Sequence, residues 1–557
     1  MLRRRSGRTV LLVHTVFLKQ STLTTTTNVM STQAVAFDWL PQEVMENIAF
    51  FAATTTDLGP PSDLLPLLLS CRSIYRALSF DANLHLCARI FEYKFDLSAA
   101  VRRLGQQIAT PDVLSKELRK RFVCLKRIRA RTDSKIRAPD PMSNPPVISE
   151  LLWLAYLMML ENDGNNVKQL REYAGMEQWL MEYWFDDEGT SLASKTLSGD
   201  EWPLDNEHNS LAMWLFWLFL RPDRFQRTER NYRTFATVFK PTALAANKYN
   251  ICHAPWEDFV PRSCLLEPTC INHYSNSYQL TPPTMAIPAI LTYLSLVGPL
   301  LGPTRVVYKG PHTPNSFPSC LNQSLEWDAD WQRCMNLAEN PLASQLSGAY
   351  KVGSLQGVWE GVFTYTEFTT YAALLSGRSP SILHNCMVAQ HRQTWKLREY
   401  HLTVSRGADG VADGEKSPSL SSGDPLKAFF PSGIRIHEHV GGAEVHEPGK
   451  MVPLPYRQPS ACDEEVEGFK CPEIQDIIVV GEGHSAWGQF NVIGRVRPCD
   501  GFVSLLKEYV EGDRGLWLYR GYLVGSINGS LAGRWRDTLS LPGANGYEGC
   551  FVMSRRR

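Results

Sequence analysis

The C-terminal stretch from Trp487 constrains the fold most. Trp487–Arg497 alternates apolar and polar residues, with Phe490, Val492 and Val496 on one side. Cys499-Asp500-Gly501 turns the chain and Phe502–Val510 returns. Glu511–Gly515 turns it again before Leu516–Ile527. Asn528-Gly529, the strongest two-residue hairpin signal, leads into Leu531–Thr538, and Tyr547–Met553 ends the series. Consecutive strands with turns this short form an antiparallel meander. Upstream, Gly357–Tyr365, Met387–Leu402 and Ile434–Val440 have the same texture, which brings the count to about eight to ten strands. A sheet of that size tends to close into a barrel, because closure removes its unpaired edges. Gly361, Gly494, Gly521, Gly525, Gly533 and Gly549 inside the strands suit a strongly curved wall. Residues 405–432 are expected to be a disordered insertion, for Ser405–Asp424 is rich in Gly, Ser, Asp and Pro. Ser417-Pro418 within it is a weak phosphorylation signal.

The other end of the chain reads differently. Leu40, Val44, Ile48 and Phe51 recur at helical spacing, and Pro41 suits a first helical turn. Thr54–Pro61 is a breaker run. Asp63 is placed to cap a second helical stretch, in which Leu64, Leu68, Cys71, Tyr75 and Leu78 trace one apolar face. Helices this short cannot bury all of Leu40, Leu65, Leu67 and Leu69, and an uncovered apolar patch usually meets a partner.

Leu40, Pro41, Glu43, Val44, Ile48, Leu64, Leu65, Leu68, Cys71, Arg72, Tyr75, Leu78 and Leu84, in that order and spacing, resemble an F-box spanning 37–90. Two departures stand out: the loop after the first helix is longer than usual, and Tyr75 replaces a common Trp. The resemblance implies docking on a Skp-type adaptor, with Leu40, Pro41, Ile48, Leu65, Leu68 and Leu69 on the docking face. The C-terminal region is similar to the lipocalin-like barrel of some F-box proteins, with Gly357-Val358-Trp359 matching the Gly-x-Trp of lipocalins and Arg534 or Arg536 placed to cover Trp359. Gly-Val-Trp-Glu-Gly at 357–361, and Ala486-Trp487-Gly488 through Arg495-Val496-Arg497 to Asp500-Gly501, resemble segments of large fungal F-box proteins.

The middle region, 91–345, reads as a helical scaffold. Leu151–Leu160 and Leu211–Leu220 are apolar all round, as buried helices are, and each is too short for a membrane span. Met285–Leu301 is longer but broken by Pro288 and Pro299. A basic run from Lys116 to Arg131 is offset by acids from Glu172 to Glu207, so no nucleic-acid partner is expected. Lys+Arg and Asp+Glu both number 57, and 13 scattered cysteines fit a reducing compartment, cytoplasmic or nuclear. Residues 1–36, basic and without an acid, are expected to be a disordered extension.

Sites of chemistry are weak. Cys252, His253, Cys264, Cys270 and His273 form a loose metal-like group, as do His437, Glu438, His439 and His446. Cys270-x-x-His273 has a plausible pair spacing, but Cys252 and His253 are adjacent and no second short pair exists; the second group lacks a third fixed ligand, so no metal is expected. Gly483-His484-Ser485-Ala486-Trp487 is a displaced nucleophile-elbow pattern between strands. No cofactor motif is present. The expectation is therefore an α+β multidomain chain: F-box helices, an α-helical middle, and an antiparallel barrel over 346–557. Its expected role is a non-catalytic receptor of an SCF-type cullin–RING ubiquitin ligase, without a membrane partner. Trp359, Trp487, Arg495, Trp517, Tyr519 and Arg534 are the candidate substrate-binding residues, chosen by residue type. The alternatives are a small-molecule carrier or sensor, and an F-box scaffold acting outside the ligase.

Overall fold

A computed structural model describes residues 40–136, 145–221, 229–262, 264, 266–297, 323–339, 348–384, 386–403, 419–459, 474–526 and 528–556. The basic extension 1–36 and Ser417-Pro418 lie outside them. Four short helices open the described chain: α1 (Gln42–Ala53), α2 (Leu64–Ser70), α3 (Arg72–Leu78) and α4 (Leu84–Lys94). Ala49 and Ala53 are buried, and their small side chains let α1 pack closely on α4. Asp63 precedes α2 but its side chain makes no capping bond. Capping falls instead to Cys71, whose Sγ accepts from Ile74 N–H, and Asn83, whose Oδ1 accepts from Leu86 N–H. Cys71 is extended and splits the expected single stripe into two helices. The split turns Tyr75 outward while Ile74 and Leu78 stay buried.

Behind these helices lies a helical mass that includes Pro111–Arg129, Pro145–Leu160, Glu207–Phe219, Glu229–Leu244 and Ala286–Val297. Every residue of 151–160 and 211–220 is buried. No helix among the described residues is long and apolar enough to cross a membrane. The region is not purely helical. β1 (Thr269–His273) and β2 (Asn276–Leu280) form a hairpin within it. Their turn, Tyr274-Ser275, has positive φ at both residues without a glycine, which is why no turn signal marks it. Tertiary bonds hold the turn: the Tyr274 hydroxyl accepts from buried Arg121 at 2.8 Å. Arg121 also binds Glu117 and Glu161, and His273 Nε2 stands 2.6 Å from Glu161 Oε1. Burial opposes charge on Glu161, yet His273 and Arg121 hold its carboxyl down at about 2. Much of the basic run is thus internal or paired: Arg119 meets Asp81, Arg127 meets Asp133 and Arg131 meets Glu182.

The C-terminal region is a closed antiparallel barrel. Its strands are β3 (Gly357–Thr366), β4 (Val388–Thr403), β8 (Ile474–Ser485), β9 (Gly488–Val496), β10 (Phe502–Tyr509), β11 (Leu516–Val524), β12 (Ser530–Asp537) and β13 (Glu548–Arg555). Each pairs with its neighbour in this order, and β13 pairs with β3 to close the ring. Outside the ring, β5 (Arg435–His439), β6 (Gly442–His446) and β7 (Leu454–Arg457) continue the sheet from β4. β8 escaped the sequence reading because Ile477 and Val479 face the barrel interior while Ile478 and Val480 pack on the outer cluster, so alternation vanishes. The expected 405–432 insertion is ordered in its described part: Leu420, Phe429 and Phe430 are buried, the first and last in the cluster that covers the outer wall.

Two glycine expectations resolve differently. Gly521 and Gly533 are register partners, and a Cβ on Gly521 would stand 2.0 Å from the Ala532 carbonyl oxygen. Gly525 is not in a strand; it is the left-handed residue of the β11–β12 loop, with φ 79°. That loop runs from Gly525 to Gly529, longer than a two-residue hairpin, and the Asn528 side chain reaches Glu326 of the helical region instead.

The outer wall carries arginines that fasten the segment 242–259. Arg497 donates to the Pro255 and Asp258 carbonyls, and Arg534 to those of Thr242, Ala243 and Tyr249. Arg520 lies 4.1 Å from the Trp256 ring and Arg495 3.9 Å from the Phe259 ring. Arg497 is paired with Asp500 at 2.7 Å, both fully buried. At the closed end of the barrel Arg333 donates to the Asp500 carbonyl and Asp330 accepts from Gly525 N–H. These bonds join barrel and helices.

Candidate functional site

Two places expose binding chemistry. On α1 the side chains Val44, Ile48 and Phe51 share one face and point to solvent, Phe51 with 70% of its surface exposed. α2 adds Leu65 at 56% and Leu69 at 72%, and α3 adds Tyr75. Buried Leu64, Leu68, Ile74 and Leu78 anchor the same helices from beneath. Short helices with an apolar stripe on each side leave one stripe uncovered.

The second place is the open end of the barrel. The connections after β3, β8, β10 and β12 all emerge there. Trp487, Trp517, Tyr519, Trp535 and Tyr547 help line a cavity of about 160 Å³. The indole N–H groups of Trp517 and Trp535 are held by the Arg514 and Thr364 carbonyls, which fixes the rings. Lys507 stands among them, only 1% exposed. Its Nζ donates to Gln393 Oε1 at 3.2 Å and lies 3.8 Å from the Phe490 ring centre and 4.7 Å from that of Tyr509. Among the described residues no carboxylate pairs with it. Burial alone pushes its ammonium down to about 7.

No protein-family model, curated protein or solved structure matches the chain. The geometry therefore carries the functional reading.

The residues singled out from sequence divide between these places and the interior. Of the expected docking residues, Ile48, Leu65, Leu69 and Pro41 are exposed and Leu40 is half-buried. Leu68 is a correction: at 7% exposure it belongs to the core, because one side of α2 must pack inward. At the barrel, Trp487, Trp517 and Tyr519 line the mouth. Trp359 does not. It is wholly buried in the barrel interior, with Nε1 donating to the Leu355 carbonyl. Arg495 and Arg534 are further corrections. Both point out of the barrel, Arg495 onto Asp476 and Phe429 and Arg534 onto the helical region. Neither Arg534 nor Arg536 covers Trp359; its cross-strand neighbours are Arg555 on β13 and Trp395 on β4.

Lys507 was missed, though a signal exists. Val503, Leu505 and Tyr509 are the inward residues of β10, so the same parity puts residue 507 inside. A lysine at an inward position is the anomaly to look for.

The loose metal-like groups are not brought together. Among the described residues no group of three or more His, Cys, Asp or Glu is placed to hold an ion. Cys252 is buried near Arg497, His273 is engaged by Glu161, and Cys270 faces Ser277. His437 and His446 rings lie 5.3 Å apart on the exposed outer sheet. Ser485 sits at the end of a β-hairpin and its hydroxyl meets that of Tyr509; among the described residues no imidazole or carboxylate is hydrogen-bonded to it.

Proposed function

We propose that the chain is the substrate-recognition subunit of an SCF-type cullin–RING ubiquitin ligase. In this reading α1–α3 dock on a Skp-type adaptor, and the barrel mouth or helical region captures the substrate protein. The observation that carries it is the outward apolar face of Val44, Ile48, Phe51, Leu65, Leu69 and Tyr75 on three adjoining short helices. Leu40 and Pro41, which open the resemblance, stand at the start of the same element. The contribution to catalysis is positional: a bound substrate lysine is held near the charged conjugating enzyme, which raises its effective concentration. A carrier or sensor role is the second reading, favoured by the aromatic cavity around Lys507.

The test is affinity purification of the full chain beside the double variant Leu65→Asp, Leu69→Asp. Both side chains are exposed, so stability should stay within about 0.5 kcal/mol per site. The wild-type chain is expected to bring down a Skp-type adaptor and cullin. The variant should lose at least roughly a hundredfold of that capture, since two apolar contacts at the centre of an interface are replaced by charges. Undiminished capture by the variant, or none by the wild type, sinks the assignment.

A further inference from the structure

Lys507 is an unusual floor for an aromatic cavity. Aromatic cages commonly hold cations, through the negative faces of their rings. Here the protein's own ammonium already occupies that role, beside Phe490 and Tyr509. A second cation would be repelled. The ammonium has three N–H bonds to give, and among the described residues one oxygen, Gln393 Oε1, receives one. Gln393 Oε1 is shared with the Tyr519 hydroxyl at 3.3 Å, so it brings no charge to the site. A buried ammonium without a counter-charge is costly unless something supplies one. Tyr519 is fixed by the same Gln393, and the indole N–H groups of Trp517 and Trp535 are already spent. The walls therefore offer apolar surface with a single charged contact.

The geometry points to a monovalent carboxylate as the occupant: we propose that the barrel mouth binds an apolar acid, its carboxylate on Lys507 Nζ and its body between Trp517, Trp535 and Tyr547. A volume near 160 Å³ matches about five waters at roughly 30 Å³ each, room for one ring or a short branched chain. A phosphate monoester fits less well, because its second charge would face aromatic carbon. Two sources share this chemistry: a free small acid, and the C-terminal residue of a polypeptide. The rim suits either, since Phe368, Val510, Leu539 and Leu541 stand exposed on the connections at this end.

The inference is independent of adaptor docking and assigns the chemical class of what the barrel recognises. The full-length chain is titrated with phenylacetate and its neutral counterpart phenylacetamide, following tryptophan fluorescence. A short peptide ending in Phe is titrated as free acid and as amide. At least one acid is expected to bind roughly tenfold or more tighter than its amide, as a charge-assisted contact in a dry site requires. Lys507→Met should keep neutral binding and lose that preference. Preference for the small acid alone assigns a free metabolite, and preference for the peptide acid assigns a chain end. Equal affinity of acids and amides, no acid binding, or an unchanged preference in Lys507→Met overturns the proposal.

Should the variant fail to fold, wild-type calorimetry decides. At about pH 8 the free lysine is largely neutral, so acid binding must take up a proton and amide binding must not. The neighbours do not confuse the reading. Burial pushes Tyr509 and Tyr519 up, so both stay neutral, and it pushes His391 at the rim down, so it is already neutral. The Arg514 guanidinium lies 5.7 Å from the Tyr509 ring centre. Acid binding without proton uptake overturns the assignment of Lys507. Adaptor capture is measured separately, so failure of either proposal leaves the other standing.

Discussion

The ridge on α1–α3 and the barrel mouth are both apolar, and they are built in opposite ways. The ridge is convex and wet. Its side chains project from helices too short to cover them, while the mouth turns its aromatic rings inward around a buried charge. A convex apolar face gains by being covered by another surface. A concave one gains by being filled, and its lysine adds a demand for a particular charge. In the proposed reading the ridge serves assembly and the mouth serves recognition, and variants of each test the two roles separately.

The largest effect on stability is expected where the barrel is tied to the helices. Arg497→Ala leaves Asp500 charged and buried, with the Tyr522 hydroxyl, the Phe502 amide and the Cys499 thiol as the remaining donors to its carboxylate among the described residues. Its cost should reach about 3–5 kcal/mol in denaturant unfolding, and it should loosen barrel and helices together. A loss below about 1 kcal/mol would mean that the two regions are only weakly coupled. Next comes a neighbouring pair on α2. Leu68→Ala should cost about 2–4 kcal/mol, while Leu69→Ala stays within about 0.5 kcal/mol. Their adaptor capture should sort the other way, with Leu69→Ala the weaker binder. Matching stabilities for the two would erase the line between core and ridge.

The most gradual effect sharpens the other side of the comparison. Between about pH 7 and the ordinary lysine range, the unfolded chain holds a proton that folded Lys507 has released. The Lys507 contribution to stability should therefore rise with pH across that window, with a slope approaching about 1.4 kcal/mol per pH unit in the difference between wild type and Lys507→Met. The difference is needed because buried thiols such as Cys87 and Cys252, pushed up to about 11, act with the opposite sign in both chains. Lys507→Met should also raise stability near neutral pH. Equal slopes in the two chains would show that the lysine side chain is hydrated in solution.

Parts of this molecule were legible in advance. The alternation of Trp487–Arg497 and its successors led to a closed antiparallel wall, and the steps from Leu40 to Phe51 led to a helix with a greasy face. Parity also held information that residue type obscured. Phe490, Val492 and Val496 already set the inward face of β9, which places Arg495 outside. The same rule puts Trp535 in and Arg534 out, and it singles out Lys507. Other features left no local trace. The Tyr274-Ser275 turn lacks the glycine that two left-handed residues usually call for, and a distant arginine holds it. β8 shows no alternation, because both its faces are covered.

By itself the sequence determined that helices lead and an antiparallel barrel follows, that the strands after Trp487 are consecutive neighbours, and which side of the alternating strands faces the barrel interior. Those properties follow from backbone periodicity and short connections, and they need no knowledge of distant residues. Only the tertiary structure decided what the outward arginines do, which of Leu65, Leu68 and Leu69 is left bare, and that Lys507 has aromatic rings and an amide instead of a carboxylate for company. Those outcomes depend on which surfaces remain to pack once local structure has formed. Burial and charge pairing belong to contacts between segments far apart in the chain, and no local pattern encodes them.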